Sequence, residues 1–235
     1  MPVTVYILLV FAVLLLSFGY YASFFIDSKV YVKAFCRGQG MERKIALTFD
    51  DGPDETMTAR VLDVLARHHV KAAFFLIGEK AGRHPELVRR MVREGHIIGS
   101  HSLTHTGLFP FANRVRIAAE LEKTRDILKA ITGKTVCLFR PPFGVTNPAV
   151  AAAVRAGEYQ TVGWSLRAFD TRRRVSRERI RRRLLRGLHP GAVVLLHDRC
   201  DKADSLVEGF IMTAREKGYE IVGLDQLSNI KVYEN

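Results

Sequence analysis

A chain of 235 residues, 48% of them hydrophobic, is enough for one full core, and one catalytic-sized domain plus an anchor is the simplest division of it. A formal net charge of +12 favours anionic surroundings such as phospholipid headgroups or acidic glycans. Nucleic acid is excluded as a partner, because the basic residues have no interleaved aromatic platform and form no zinc-finger or glycine-loop module.

Val3 to Ile26 carries no charged side chain and is long enough to cross a bilayer as a helix, with Tyr6, Tyr20, Tyr21, Phe24 and Phe25 near its ends as interfacial aromatics. It reads as a transmembrane anchor over 3–26. A signal peptide competes, since Ser17 and Gly19 frame a small-residue cleavage site, but no lysine or arginine precedes the apolar run. Lys29, Lys33, Arg37, Arg43 and Lys44 follow it, so the positive-inside rule would keep the next domain in the cytoplasm. A juxtamembrane linker is expected over 27–43, the catalytic domain over 44–228 and a tail over 229–235.

Within that domain short apolar runs alternate with helical patterns. Strands are expected at Ile45–Phe49, Ala72–Leu76, His96–Ser100, Cys137–Arg140, Gln160–Ser165, Ala192–His197 and Ile221–Leu224. Helices are expected near Thr56–His69, Pro85–Arg93, Ala118–Ile131, Pro148–Ala156, Arg177–Leu185 and Ser205–Lys217. Such alternation implies an α/β fold with a parallel sheet, closed into a barrel or doubly wound, and both place chemistry at the carboxyl ends of the strands. The arginine-rich stretch from Arg172 to Arg186 has Ile180, Leu184 and Leu188 at helical spacing, as a solvated helix on the exterior would. Cys36, Cys137 and Cys200 lack metal-site or redox spacing and read as incidental thiols.

Four strand ends carry candidate chemistry. Asp50 and Asp51 sit side by side before Gly52-Pro53, and two like charges in one place ask for a cation. His101 and His105, four residues apart, converge on one ion if their segment is helical or tightly turned. With a carboxylate they make a mixed nitrogen and oxygen site suited to zinc or a similar divalent metal. Arg140 opens the stiff turn Pro141-Pro142-Phe143-Gly144, where a guanidinium can pair with a carboxylate without losing its charge. His197 ends an apolar strand and can titrate near neutrality as a general acid, with Asp170 available to orient it. His68, His69, His84, His96 and His189 have no such company and read as structural or surface groups.

Taken in order, Thr48-Phe49-Asp50-Asp51-Gly52-Pro53, His101-Ser102-x-x-His105, Arg140-Pro141-Pro142-Phe143-Gly144 and Leu195-Leu196-His197-Asp198 resemble the polysaccharide deacetylases, the NodB-homology enzymes of carbohydrate esterase family 4. The likeness covers roughly Lys44 to Leu224. It implies a distorted (β/α)7 barrel, here preceded by one transmembrane helix, and metal-dependent hydrolysis of acetyl groups from a cell-envelope polysaccharide. Carried over by position, Asp51, His101 and His105 are the metal ligands, for zinc first, with cobalt, nickel or manganese as alternatives. Asp50 is the base, Arg140 orients it, His197 is the acid and Asp170 tunes it. The Phe143 amide helps to hold the oxyanion, and Leu195 lines the acetyl pocket.

The family commonly shows Asp-x-x-Asp-Trp after the fifth strand. Here Arg167 replaces the first aspartate and Thr171 the tryptophan, which alters substrate fit and leaves the bond-breaking groups in place. The implied partners are an acetylated glycan or a lipid-linked sugar, together with membrane lipid, and the family places the catalytic domain outside the cell, against the flanking charges. Two rivals stand beside this reading: a deacylase or deformylase of a lipid-linked amino sugar, and a catalytically silent glycan-binding module at the membrane.

Overall fold

In β1 (Lys44–Asp50) every residue after Lys44 is buried, because both faces of the strand are covered. Ile45, Leu47 and Phe49 face an outer layer shared with the helices, while Ala46 faces an inner layer. Strand alternation then points Thr48 and Asp50 inward as well. The computed structural model describes residues 3–40, 42–172, 175–227 and 230–234.

In chain order, α1 (Val3–Phe24) precedes β1, which is followed by α2 (Met57–Arg67), β2 (Ala73–Leu76), α3 (Gly78–Arg83), α4 (Pro85–Arg93), β3 (Ile97–Ser100) and α5 (Arg114–Thr132). Then come β4 (Thr135–Val136), β5 (Leu138–Phe139), α6 (Pro148–Ala156), β6 (Gln160–Thr161), β7 (Leu166–Arg167), α7 (Arg177–Arg186) and β8 (Val193–His197). The chain closes with α8 (Ala203–Glu216), β9 (Glu220–Ile221), α9 (Leu224–Leu227) and β10 (Tyr233–Glu234). The parallel sheet runs β6-β5-β3-β2-β1-β8-β7, with β9 added on β1, and curls into a distorted seven-stranded barrel with helices outside. Its interior is packed by Ala46, Ala73, Phe75, Leu138, Val162 and Val193, small residues alternating with large ones.

The run Gln160–Ser165 is not one strand. β6 pairs with β5, and after Gly163 the chain crosses to pair β7 with β8. The residues between α1 and the barrel reinforce this seam. Phe35 donates to the Thr161 carbonyl at 2.8 Å and accepts from the Gly163 N–H at 2.9 Å, and Gly38 donates to the Gly191 carbonyl at 2.8 Å. Any Cβ on Gly163 would strike Cys36 and Ile26, so glycine is what permits the approach. At the other end β10 pairs antiparallel with β4, and the Tyr233 hydroxyl accepts from the Ile98 N–H at 2.9 Å. Within 27–43, Met41 lies outside the described residues, as do Ser228 at the expected domain end, Asn229 and Asn235 in the expected tail, and Arg173 and Arg174 in the arginine-rich stretch.

α5 starts before the expected Ala118 because Asn113 caps it, its side chain accepting from Arg116 N–H, and it ends at Gly133 in the left-handed conformation. α7 is capped by Ser176 and buries Ile180 and Leu184, leaving its arginines on the outside.

Candidate active site

Asp50 is the last residue of β1, and its register partner on the neighbouring strand is His197, the last residue of β8. Adjacent inward positions of two paired strands thus hold a carboxylate and an imidazole at the carboxyl-end mouth of the barrel. Arg140, one residue past β5, reaches across the interior to Asp50. Its side chain is fully buried; Nη1 donates to Asp50 Oδ1 at 2.7 Å and to Thr48 Oγ1 at 2.8 Å, Nη2 to the Gly163 carbonyl at 2.7 Å, and Nε to the Val162 carbonyl at 3.2 Å. The guanidinium carbon also lies 4.1 Å from the centre of the Phe75 ring. A buried guanidinium keeps its charge and holds the Asp50 carboxylate in one orientation.

Asp51 turns away from β1 with φ +73°, and its carboxylate meets the two histidines. Its Oδ1 lies 3.5 Å from His101 Nε2 and 3.3 Å from His105 Nε2, and the three ligand atoms fall within 4.8 Å of one another. The segment holding the histidines is a tight turn, with Ser102 at φ +66° and His105 at φ +51°, closed by the His105 N–H donating to Ser102 Oγ at 3.0 Å. His101 Nδ1 is 2.7 Å from the Arg140 carbonyl, which can only accept, so Nδ1 carries a hydrogen. Nε2 then faces a carboxylate oxygen, and two lone pairs at that distance need a proton or a metal ion between them. This donor set fits a divalent ion with open positions.

Burial raises the Asp51 carboxyl, but the hydrogen bond and charge of His101, with His105 and His197, outweigh it and hold the group far below the usual carboxylate range. His105 is pushed down to about 4 by burial and by the charge on His101. Its ring rests against Phe143, centroids 4.7 Å apart, and Phe143 itself has φ +61°. Four non-glycine residues around one cavity in the left-handed region mark strain held by the surrounding packing.

On the other side His197 is clamped by Asp170, which accepts from the imidazole Nδ1 at 2.8 Å through Oδ1 and from the His197 backbone N–H at 2.8 Å through Oδ2. Burial lowers the His197 pKa, but the hydrogen bond and charge of Asp170, followed by Asp50 and Asp51, leave it raised. Next to it, Asp198 is fully buried and pushed up to about 7 by burial, with Thr58 Oγ1 donating to it at 2.6 Å. Any Cβ on Gly52 would land on this carboxylate, which gives the glycine of Asp50-Asp51-Gly52-Pro53 a packing role.

The cavity between these groups, about 150 Å³, is lined by Asp50, Asp51, His101, His105, Phe143, Leu195 and His197, so every sequence-derived candidate but Arg140 and Asp170 reaches its wall, and those two stand behind Asp50 and His197. Arg167 and Thr171, the two departures, face it as well. Three contributors were not anticipated. Arg199 Nε donates to Asp51 Oδ2 at 2.8 Å, Lys80 Nζ donates to the Asp51 carbonyl at 2.8 Å, and Trp164 lines the wall and blocks any Cβ on Gly144. Trp164, the single tryptophan of the chain, was the one such signal in the sequence.

The model of the polysaccharide deacetylase family matches residues 37–162, more than half of the chain. The chain belongs to the polysaccharide deacetylase family. The peptidoglycan-N-acetylmuramic acid deacetylase PdaA of Bacillus subtilis is 36% identical over 200 residues, covering 83% of this deacetylase-family chain and 74% of its own. The solved structure of that protein, a family 4 carbohydrate esterase, superimposes with a TM-score of 0.76 at 34% identity, over 86% of each chain. The Bc1960 peptidoglycan N-acetylglucosamine deacetylase superimposes with a TM-score of 0.78 at 31% identity, over 86% of this chain and 94% of that one. The peptidoglycan-N-acetylglucosamine deacetylase PgdA of Listeria monocytogenes is 35% identical over 190 residues, which are 81% of this chain but only 40% of the relative's length.

Proposed function

We propose that this protein is a metal-dependent hydrolase that removes acetyl groups from an N-acetylated, or O-acetylated, envelope glycan of the peptidoglycan kind, with α1 as a membrane anchor and the catalytic domain outside the cell. The observation that carries the proposal is the register pairing of Asp50 with His197 beside the Asp51, His101 and His105 cluster. Those three residues would hold the ion, zinc first. When bound, a divalent ion supplies Lewis acidity that polarises an acyl carbonyl and acidifies a water.

The chain's own groups do the rest. Asp50, aimed by Arg140, takes the proton of the attacking water. The Phe143 backbone N–H, set in its turn by Pro141 and Pro142, donates to the acyl oxygen as negative charge builds there, a stabilisation worth about 3 kcal/mol for a single donor. His197, kept protonated by Asp170, gives its proton to the departing amine, so acetate and a free amino sugar result. Leu195 closes the acyl pocket. A cavity of about 150 Å³ admits an acyl group and water, and the sugar lies across the rim, where Arg167 and Thr171 would meet it.

The test is acetate release from acetylated oligosaccharides, with and without chelator. Asp50→Asn should lower turnover by about 10²–10⁴-fold while the bound metal, measured by elemental analysis, stays near one equivalent. Full activity in that variant would remove Asp50 from the role of base.

A further inference from the structure

The amino-terminal helix joins the domain beside the catalytic cavity. Thr146 donates its backbone N–H to the Ser23 carbonyl at 2.9 Å and its hydroxyl to the Ala22 carbonyl at 3.2 Å, and both Ala22 and Thr146 are buried. Thr146 is three residues past Phe143, whose ring packs on His105, and three residues of chain reach at most about 11 Å. The segment that follows the helix is no loose tether, since Phe35 and Gly38 are hydrogen-bonded to the barrel seam. A site attached in this way stays close to the level at which the helix leaves a bilayer.

Between the helix end and the β6–β7 crossing lies a second cavity, of about 790 Å³, with Phe24, Lys29, Phe35, Arg37, Trp164 and Arg167 in its wall. Trp164 and Arg167 line the catalytic cavity too, so the two spaces share a wall. Among the described residues, Lys29, Arg37 and Arg167 stand against one carboxylate in this wall, Asp27, and the sign of the groove is positive. The Nε of Arg167 is buried and, among the described residues, has no hydrogen-bond partner. An arginine N–H left without a partner at the wall of a cationic groove suits a phosphate oxygen, and the volume suits a sugar diphosphate. Phe24 and Phe25, exposed on the helix end, continue the groove with apolar surface toward the membrane side.

We infer that this groove binds the diphosphate of a lipid-linked amino sugar, whose acetamido group enters the catalytic cavity while its hydrocarbon chain runs back along α1. The inference rests on the proposed reading of the chain as a membrane-anchored deacetylase and names its substrate class. Deacetylation would then precede polymerisation of the glycan, and the supplying reaction is transfer of an N-acetylated sugar phosphate from a nucleoside diphosphate sugar to a lipid phosphate, with the nucleoside monophosphate as leaving group. A polymer lying beyond the membrane surface is the competing occupant.

The full chain, zinc-loaded in phosphatidylcholine vesicles, is given three substrates: undecaprenyl-diphosphate-N-acetylglucosamine in the same vesicles, a short-chain water-soluble prenyl diphosphate of the same sugar, and N-acetylchitotetraose. Both diphosphates should exceed chitotetraose in kcat/KM by at least tenfold. The double variant Lys29→Glu and Arg37→Glu should cut that ratio at least tenfold, as Lys29→Glu alone should in part. Lys29→Glu is the safeguard, because Arg37 Nε donates to the Pro190 carbonyl at 3.2 Å and its loss can disturb the seam. A preference for the long-chain substrate only, unmoved by charge reversal, would mean that tethering and not the groove selects it, and would overturn the inference. So would equal or better use of chitotetraose, which would leave the deacetylase reading intact. No acetate from any of the three would bring down both.

Discussion

His96 and His197 stand at opposite ends of one parallel sheet, His96 just before β3 and His197 at the end of β8, and they are almost equally hidden, 4% and 7% exposed. They titrate in opposite directions. Burial pushes His96 down to about 4, and Glu94, 3.7 Å from its Nε2, offsets only part of that. Burial acts the same way on His197, but Asp170 at 2.8 Å reverses the sign. Residue type and burial are shared, so the charge partner at bonding distance is what separates the mouth of the barrel from its floor. The floor histidine is a packing group, its Nδ1 accepting from the Ala72 N–H at 3.2 Å and its ring set edge-on to Phe74.

The largest break in this contrast comes from Arg140→Met. The substitution leaves Asp50 buried without the guanidinium, removes a donor to Thr48 Oγ1 and orphans the Val162 and Gly163 carbonyls. Removing one partner of a buried pair costs about 3–5 kcal/mol, which for a chain of this size lowers the midpoint by roughly 10 °C. Calorimetry on the purified protein measures it, and turnover should vanish with it. A wild-type melting curve would show that charge pairing at the mouth carries little of the stability.

Why some of this was legible beforehand follows from what a local pattern can encode. β1, β2, β3 and β8 are largely apolar runs because both of their faces are covered; β1 and β8 end in Asp50 and His197, and His101 directly follows β3. The split of Gln160–Ser165 was not legible, because it depends on Ile26, Cys36 and Phe35 arriving from a distant part of the chain. α3 escaped notice as six residues opening on Gly78. The spacing of His101 and His105 allowed a helix or a turn, and the left-handed Ser102 and His105 decide for the turn. Arg199 and Lys80 reach Asp51 through long side chains from other elements, which no periodicity reports. The likeness to a known family supplied the roles, and the coordinates supply the pairing of Asp50 with His197 that makes those roles compatible.

The floor gives the next effect in size. Its folded-state pKa lies below the unfolded value of 6.5, so between about pH 6.5 and 4 the unfolded chain binds a proton that the folded chain refuses. Stability from His96 is therefore complete above pH 6.5 and is lost as pH falls through about 4, by at most about 3 kcal/mol. Protonation would also aim an N–H at the Ala72 N–H. His96→Asn keeps an acceptor and cannot charge, so its denaturant midpoint should fall less steeply than that of the wild type over this range. Parallel slopes would place the acid sensitivity elsewhere.

Asp170→Asn is the sharpest test, because it turns the mouth histidine into the floor kind. Without the carboxylate, burial of His197 is opposed only by the smaller effects of Asp50 and Asp51 and its pKa drops, so the alkaline limb of the kcat profile moves to lower pH and turnover falls about 10²-fold, or about 2.7 kcal/mol. The stability effect has the opposite sign to that of His96. A histidine whose pKa is raised by folding adds stability that is full below the unfolded value of 6.5 and fades as pH rises through the folded value. The gap in unfolding free energy between wild type and Asp170→Asn should hence be widest in acid and narrow toward alkaline pH. An alkaline limb that stays in place while turnover falls would mean that Asp170 positions the imidazole without charging it.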